Sequence, residues 1–196
     1  SVPTIAAQIV NALYNIVDRM YIGHMRDIGN DALTAMGVCL SIIMIISAFA
    51  ALTAMGGAAR ASIMLGRGQK EEAERILGNC TIVTCAVAIV LTLIFTIFAE
   101  KFLWWFGATE ESIGYAVDYM RIYALGTIFV ELALGLNAFI TAQGFSLIGM
   151  LSVVIGAVIN IALDPILIYA CSLGVKGAAI ATVVSQAASA VWVVSF

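Results

Sequence analysis

Residues 132–175 read LALGLNAFITAQGFSLIGMLSVVIGAVINIALDPILIYACSLGV, and Asp164 carries the one charge in that stretch. About 20 apolar residues span a bilayer, so this run is too long for a single straight span. Gly144-Phe145-Ser146 gives it a place to turn. An Asp near the centre of a membrane helix costs about 2.5–3.5 kcal/mol on insertion scales. Such a cost is tolerated where the carboxylate handles ions or protons. Asn160 lies one helical turn before Asp164, so the two project from one face. Pro165 cannot donate to the carbonyl of Ile161 and its ring crowds that carbonyl, which becomes a third oxygen near the same spot. An acid, an amide and a freed carbonyl on one membrane face have the chemistry of a cation site.

Outward from this stretch the whole chain has the same character. Of its 196 residues, 63% are hydrophobic and 11% are charged, and the mean hydropathy is +1.08. A soluble domain carries about 25% charged residues, so the chain reads as an all-α integral membrane protein. Uncharged runs of membrane length recur at residues 32–59, 76–99, 132–163 and 177–196. Six membrane helices are expected, at about 2–22, 32–58, 76–102, 115–142, 147–170 and 175–196, forming a single bundle over residues 1–196. Polar connections fall at 23–31 (with His24, Arg26, Asp27 and Asp31), at 60–75 and at 107–118. Strand periodicity is absent, which argues against a barrel. Lys and Arg divide evenly between the two sides, so charge alone does not orient the bundle.

Residues 1–17 lack a basic leader region and a clear cleavage site, so they do not read as a signal peptide. The chain starts without Met inside one helical pattern and stops inside another, at Val191-Trp192-Val193, so a trimmed chain is expected. Cys80 and Cys85 match no metal or redox spacing, and with Cys39 and Cys171 they read as small packing residues. No basic patch points to nucleic acid.

Polar or small residues recur at helical spacing. The first helix reads Thr4, Gln8, Asn11, Asn15, Asp18; the fourth Ala133, Asn137, Thr141; the fifth Gly149, Ser152, Gly156, Asn160, Asp164; the sixth Ala178, Thr182, Ser185, Ser189. Polar positions rarely face lipid, so these stripes are expected to turn inward. Small and hydroxyl residues also act as packing contacts between membrane helices, and that plainer role suits the Gly and Ser positions. A carboxylate packs poorly, so Asn160 and Asp164 carry the functional reading. Asp18, followed by Arg19, is either interfacial or part of the inward stripe. Glu131 is either a second protonatable group or an acid reaching for the interface. Gln8, Asn11, Asn15, Glu131 and Thr141 are the expected cavity-lining positions.

Further segments carry a resemblance. Leu13-Tyr14-Asn15-Ile16-Val17-Asp18 with Tyr21-Ile22-Gly23, then residues 61–78, FITAQG at 139–144, NIALDPILI at 160–168 and GVKGAAIATVVS at 174–185 resemble, in order and spacing, the N-terminal half of bacterial members of the multidrug and toxic compound extrusion (MATE) family. The resemblance implies one six-helix lobe of a twelve-helix transporter, with the second lobe absent from this chain. It implies alternating-access export of organic cations in exchange for sodium or protons. It places a cation-coupling site on Asp18, Asn137, Asn160, Asp164 and Thr182, and both ends of this half and the 60–75 loop in the cytoplasm. The implied partners are membrane lipid, cationic amphiphilic small molecules and a second six-helix lobe from the same gene or another chain. The implied location is a bacterial cytoplasmic membrane. No cofactor or metal is expected beyond a sodium ion at the coupling site.

Protonation or sodium binding would neutralise Asp18 and Asp164 alike, and oxygen ligands suit a hard cation. Three other functions compete. A flippase of lipid-linked saccharides, from the same superfamily, needs cationic residues for pyrophosphate, and the stripes hold none apart from the adjacent Arg19. An enzyme needs a nucleophile–base or metal cluster, and a single His without partner spacing argues against one. A non-transporting half-length membrane module is the third.

Overall fold

The computed structural model describes residues 2–25 and 28–196. Arg26 and Asp27, inside the expected polar connection at 23–31, lie outside the described residues. The described chain is almost entirely helical: α1 (Val2–Gly23), α2 (Gly29–Gly66), α3 (Lys70–Ile97), α4 (Ala99–Trp105), α5 (Ile113–Leu125), α6 (Thr127–Ala142), α7 (Ser146–Pro165) continued by a π-helical segment (Ile166–Ala170), and α8 (Val175–Ser195).

Among the described residues eight α-helices therefore stand where six were expected, because two expected spans are broken. The fourth bends by 56° between α5 and α6. Gly126 sits at the bend, and Val183 of α8 lies where a Cβ would be, with Cγ2 at 2.5 Å. The Thr92 hydroxyl donates to the Ala124 carbonyl at 3.0 Å, partnering a backbone acceptor beside the break. The third expected span leaves the helical path at Phe98, where Glu100 and Lys101 arrive, and ends in the short α4. In the opposite sense, α2 runs on to Gly66 instead of stopping near residue 58. Its 38 residues extend about 57 Å, well beyond a hydrocarbon core of about 30 Å. Gly68, at φ +75°, makes the turn into α3, whose first-turn Glu71 and Glu72 complement the helix dipole.

Four helices among the described residues are long and apolar enough to cross a membrane: α2, α3, α7 with its π-helical extension, and α8; the bent α5–α6 pair makes a fifth. α1 is not among them, because its polar stripe lowers its apolarity. The chain is thus a multi-pass membrane protein.

The main core gathers Ile42 and Ile46 of α2, Leu91 and Phe95 of α3, Leu103 of α4, Met120 and Tyr123 of α5, and Val130 of α6. Close helix approach depends on small residues: a Cβ at Gly57 of α2 would lie 2.4 Å from Cys80 Sγ and 2.7 Å from Phe139 Cζ. α1 packs chiefly along α7, and α7 along α8. That three-helix side brings Asp18, the buried end of the α1 stripe, to the stripes of α7 and α8.

Candidate functional site

Asp18 lies in the last turns of α1, Asn160 and Asp164 in the last turns of α7, and Thr182 midway along α8. All four are buried, Asn160 and Asp164 at 0% exposure. Asn160 Nδ2 donates to Asp164 Oδ1 at 3.5 Å. The Asp18 and Asp164 carboxyl groups are within hydrogen-bonding reach of each other. Among the described residues, Asp18 Oδ1, Asn160 Oδ1 and Asp164 Oδ2 have no hydrogen-bond partner. Two carboxyls this close, with three acceptor oxygens unsatisfied, call for a proton or a cation between them.

Thr182 lines a cavity of about 60 Å³ together with Asp18, Tyr14, Asn15, Arg19, Tyr119 and Gln186. The Thr182 hydroxyl donates to Ala178 O at 3.0 Å and so keeps lone pairs available to accept. The Tyr119 ring of α5 faces the same cavity.

The local sequence explains the placement. Pro165 ends the α-helical hydrogen bonding of α7, and the chain continues in π-helical form, a local departure frequent at functional positions. α8 crosses that segment at Gly177, where a Cβ would lie 2.6 Å from the backbone C and O of Leu167 and 2.9 Å from the Ile168 nitrogen. Any side chain there would push α8, and Thr182 with it, away from α7.

Asn137 is not brought to this cluster. Its Nδ2 donates to Gly149 O and to Ser152 Oγ, both at 3.2 Å. Ser152 precedes Asn160 by eight residues, about 12 Å along a helix. Asn137 instead lines a neighbouring cavity of about 70 Å³ with Asn11, Ser152, Ser185 and Ser189, and this cavity shares Tyr14 and Gln186 with the first. Ser189 Oγ donating to Ser152 O at 2.8 Å ties α8 to α7 beside it.

The expected cavity-lining positions divide. Asn11 and Asn15 each line one of the two cavities. Gln8 and Thr141 are exposed and line neither. Glu131 is fully buried, yet it sits on another face of α6 and lines neither cavity. The α7 and α8 stripes face inward, whereas Thr4, Gln8, Asn11 and Asn15 of α1 remain exposed and only Asp18 of that stripe is buried.

Sequence reasoning misses the tyrosines. Tyr14, one turn before Asp18 on α1, is legible as part of that face once aromatics are counted with the amides. Tyr119 and Tyr123 come from α5, and nothing in their local sequence marks them.

This is a multi-pass membrane fold with paired buried acids between helices. A family model described as MatE matches residues 3–166, and the chain belongs to that family. It is 28% identical over 187 residues to the multidrug export protein MepA of Staphylococcus haemolyticus, an alignment covering 95% of this chain and 41% of that protein. It is 27% identical over 197 residues to MepA of Staphylococcus saprophyticus, covering 100% of this chain and 43% of that one. The solved structure of the MATE multidrug transporter DinF-BH superposes with a TM-score of 0.93 at 33% identity, over 98% of this chain and 43% of that chain. The chain spans less than half the length of the curated relatives it matches.

Proposed function

We propose that this chain is one lobe of a two-lobed, cation-coupled exporter of organic cations in a bacterial cytoplasmic membrane. In this reading α1, α2, α3, the bent α5–α6 pair, α7 and α8 make six passes, and a second lobe completes the transporter. The relatives named as multidrug export proteins, at roughly twice the length, support this reading. The observation that carries the coupling assignment is the facing of Asp18 and Asp164, with Asn160 bonded to one of the carboxylates, inside a membrane lobe.

Asp18, Asn160, Asp164 and Thr182 offer oxygens only, which suits sodium or a proton. With the cation bound, the pair loses half of its negative charge and α1 can stay closed on α7. With the cation gone, the bare carboxylates need water or a cationic substrate. The ion drives alternation through its different affinity for those two arrangements. The flippase alternative fits poorly: Arg19 is the one cationic side chain lining the two cavities among the described residues.

The test uses the complete protein in liposomes. An inward sodium gradient, and separately an inward proton gradient, should drive export of a fluorescent organic cation, and Asp164→Asn should abolish it with expression intact. Undiminished gradient-driven export by Asp164→Asn would remove the acid pair from the coupling step.

A further inference from the structure

α6 has two working faces. Ala133 and Asn137 turn toward the cavity shared with α7 and α8. Thr127, Glu131 and Gly135, four residues apart in turn, form a second face. On that face Gly135 meets Thr84 of α3, which donates to Thr53 of α2 at 3.3 Å. Glu131 is 0% exposed. Neither of its carboxyl oxygens has a hydrogen-bond partner among the described residues, and the buried Thr127 hydroxyl one turn earlier also lacks one.

The charged groups around it are few. α2 and α3 carry their cations, Arg60, Lys70 and Arg75, at exposed ends. Among the described residues, no charged side chain of α2, α3, α7 or α8, nor Asp118 or Arg121 of α5, acts on Glu131, and the titratable group that meets it electrostatically is Tyr123 of α5. Tyr123 stacks on Tyr119 with ring centroids 6.0 Å apart, and both rings line the cavity that holds Asp18. A fully buried carboxylate that no cation and no donated hydrogen bond meets among the described residues is not tolerated as an ion, and such a group neutralises.

We propose that Glu131 is a second proton-binding site of the lobe, separate from the Asp18–Asp164 pair, held as the neutral acid in the buried seam between α6, α2 and α3, with Tyr123 between the seam and the cavity. The inference stands apart from the choice of coupling ion. The acid pair can take sodium while Glu131 carries a proton, and a lobe built this way still responds to pH when its coupling ion is sodium.

Infrared spectroscopy of the complete protein in liposomes tests this through the carbonyl stretch of protonated carboxylic acids. The background is Asp18→Asn with Asp164→Asn, which takes the acid pair out of the spectrum. At neutral pH that protein should keep a protonated-carboxyl band that shifts when glutamate is isotope-labelled. Glu131→Gln, the isostere of the neutral acid, should abolish the label-sensitive band. Glu131→Asp, which keeps an acid in the seam, should abolish it too and replace it with a band that ignores the label. Persistence of the label-sensitive band in whichever of these variants folds, or its absence from the background protein, overturns the proposal.

Discussion

Asp18 and Asp164 approach each other from α1 and α7, and Asn160 holds one oxygen of the pair. The pair needs positive charge, and Thr182 and Tyr119 complete a polar wall around it. A hydrogen bond to a charged group contributes about 1.5–3 kcal/mol, which is about 10- to 150-fold in affinity. If the coupling ion is sodium, Asn160→Ala should therefore weaken its binding to the complete protein by that range. At sodium concentrations near a hundred times the dissociation constant, binding stabilises the fold by about 2.7 kcal/mol, so a sodium-dependent melting shift at constant pH is the readout. Asn137→Ala should leave that shift intact, because Asn137 bonds Gly149 and Ser152 well away from the acids. Equal loss in both variants would place Asn137 back at the ion. Asn160 and Asp164 are legible in the sequence because their partnership is local, four residues apart on one helix. Asn137 enters the site by resemblance alone, and its distance from the acids depends on how far along α7 the α6 helix crosses. Tyr119 joins Thr182 at the cavity only through packing of α5 on α8, and no local pattern reports such a meeting.

Between α7 and α8 the decisive feature is a backbone approach. Gly177 meets the π-helical segment after Pro165 with no room for a methyl group. Gly177→Ala should cost about 1–3 kcal/mol, as overpacking does, and should also displace Thr182 from the acid pair. The expected result is a lower melting temperature in detergent together with loss of the sodium-dependent shift. A Gly177→Ala protein that melts lower but keeps the full shift would show that α8 moves without disturbing the site. At this scale the apolar runs and the polar connections are readable in the sequence, because length and charge decide them. The bend at Gly126 is not. Glycine is common in membrane helices, and only Val183 pressing from α8 makes this one a breaking point. The continuation of α2 to Gly66 is hidden because Arg60 looks like the end of a span, whereas a helix leaving the membrane need not stop there.

Across the whole molecule, α1 is the helix whose surroundings are least complete. Val2, Ile5, Ile9, Leu13, Ile16 and Met20 form one exposed apolar face. Thr4, Gln8, Asn11 and Asn15 form an exposed polar one, roughly 140° away at about 100° per residue. Two exposed faces of opposite character on one helix mean two different environments: lipid on the first, and water or another polar surface on the second. The Gly149–Asp164 stripe turns inward, while the α1 stripe ends buried only at Asp18, so the two do not share one closed interior among the described residues. If a second lobe encloses a water-filled cavity against this side, single cysteines should distinguish the faces in the complete protein. Asn11→Cys and Asn15→Cys should react with a charged, membrane-impermeant thiol reagent, and a bound organic cation should slow that reaction. Ile9→Cys and Leu13→Cys should stay unreactive under the same conditions, because a charged reagent does not enter hydrocarbon. The measurement belongs in a background with Cys39, Cys80, Cys85 and Cys171 replaced by Ala or Ser. Reactivity at 9 and 13 with none at 11 and 15 would invert the assignment and put the polar stripe against packed protein. Equal reactivity at all four would mean that α1 stands in water on both sides, which no one-lobe or two-lobe membrane arrangement of this helix allows.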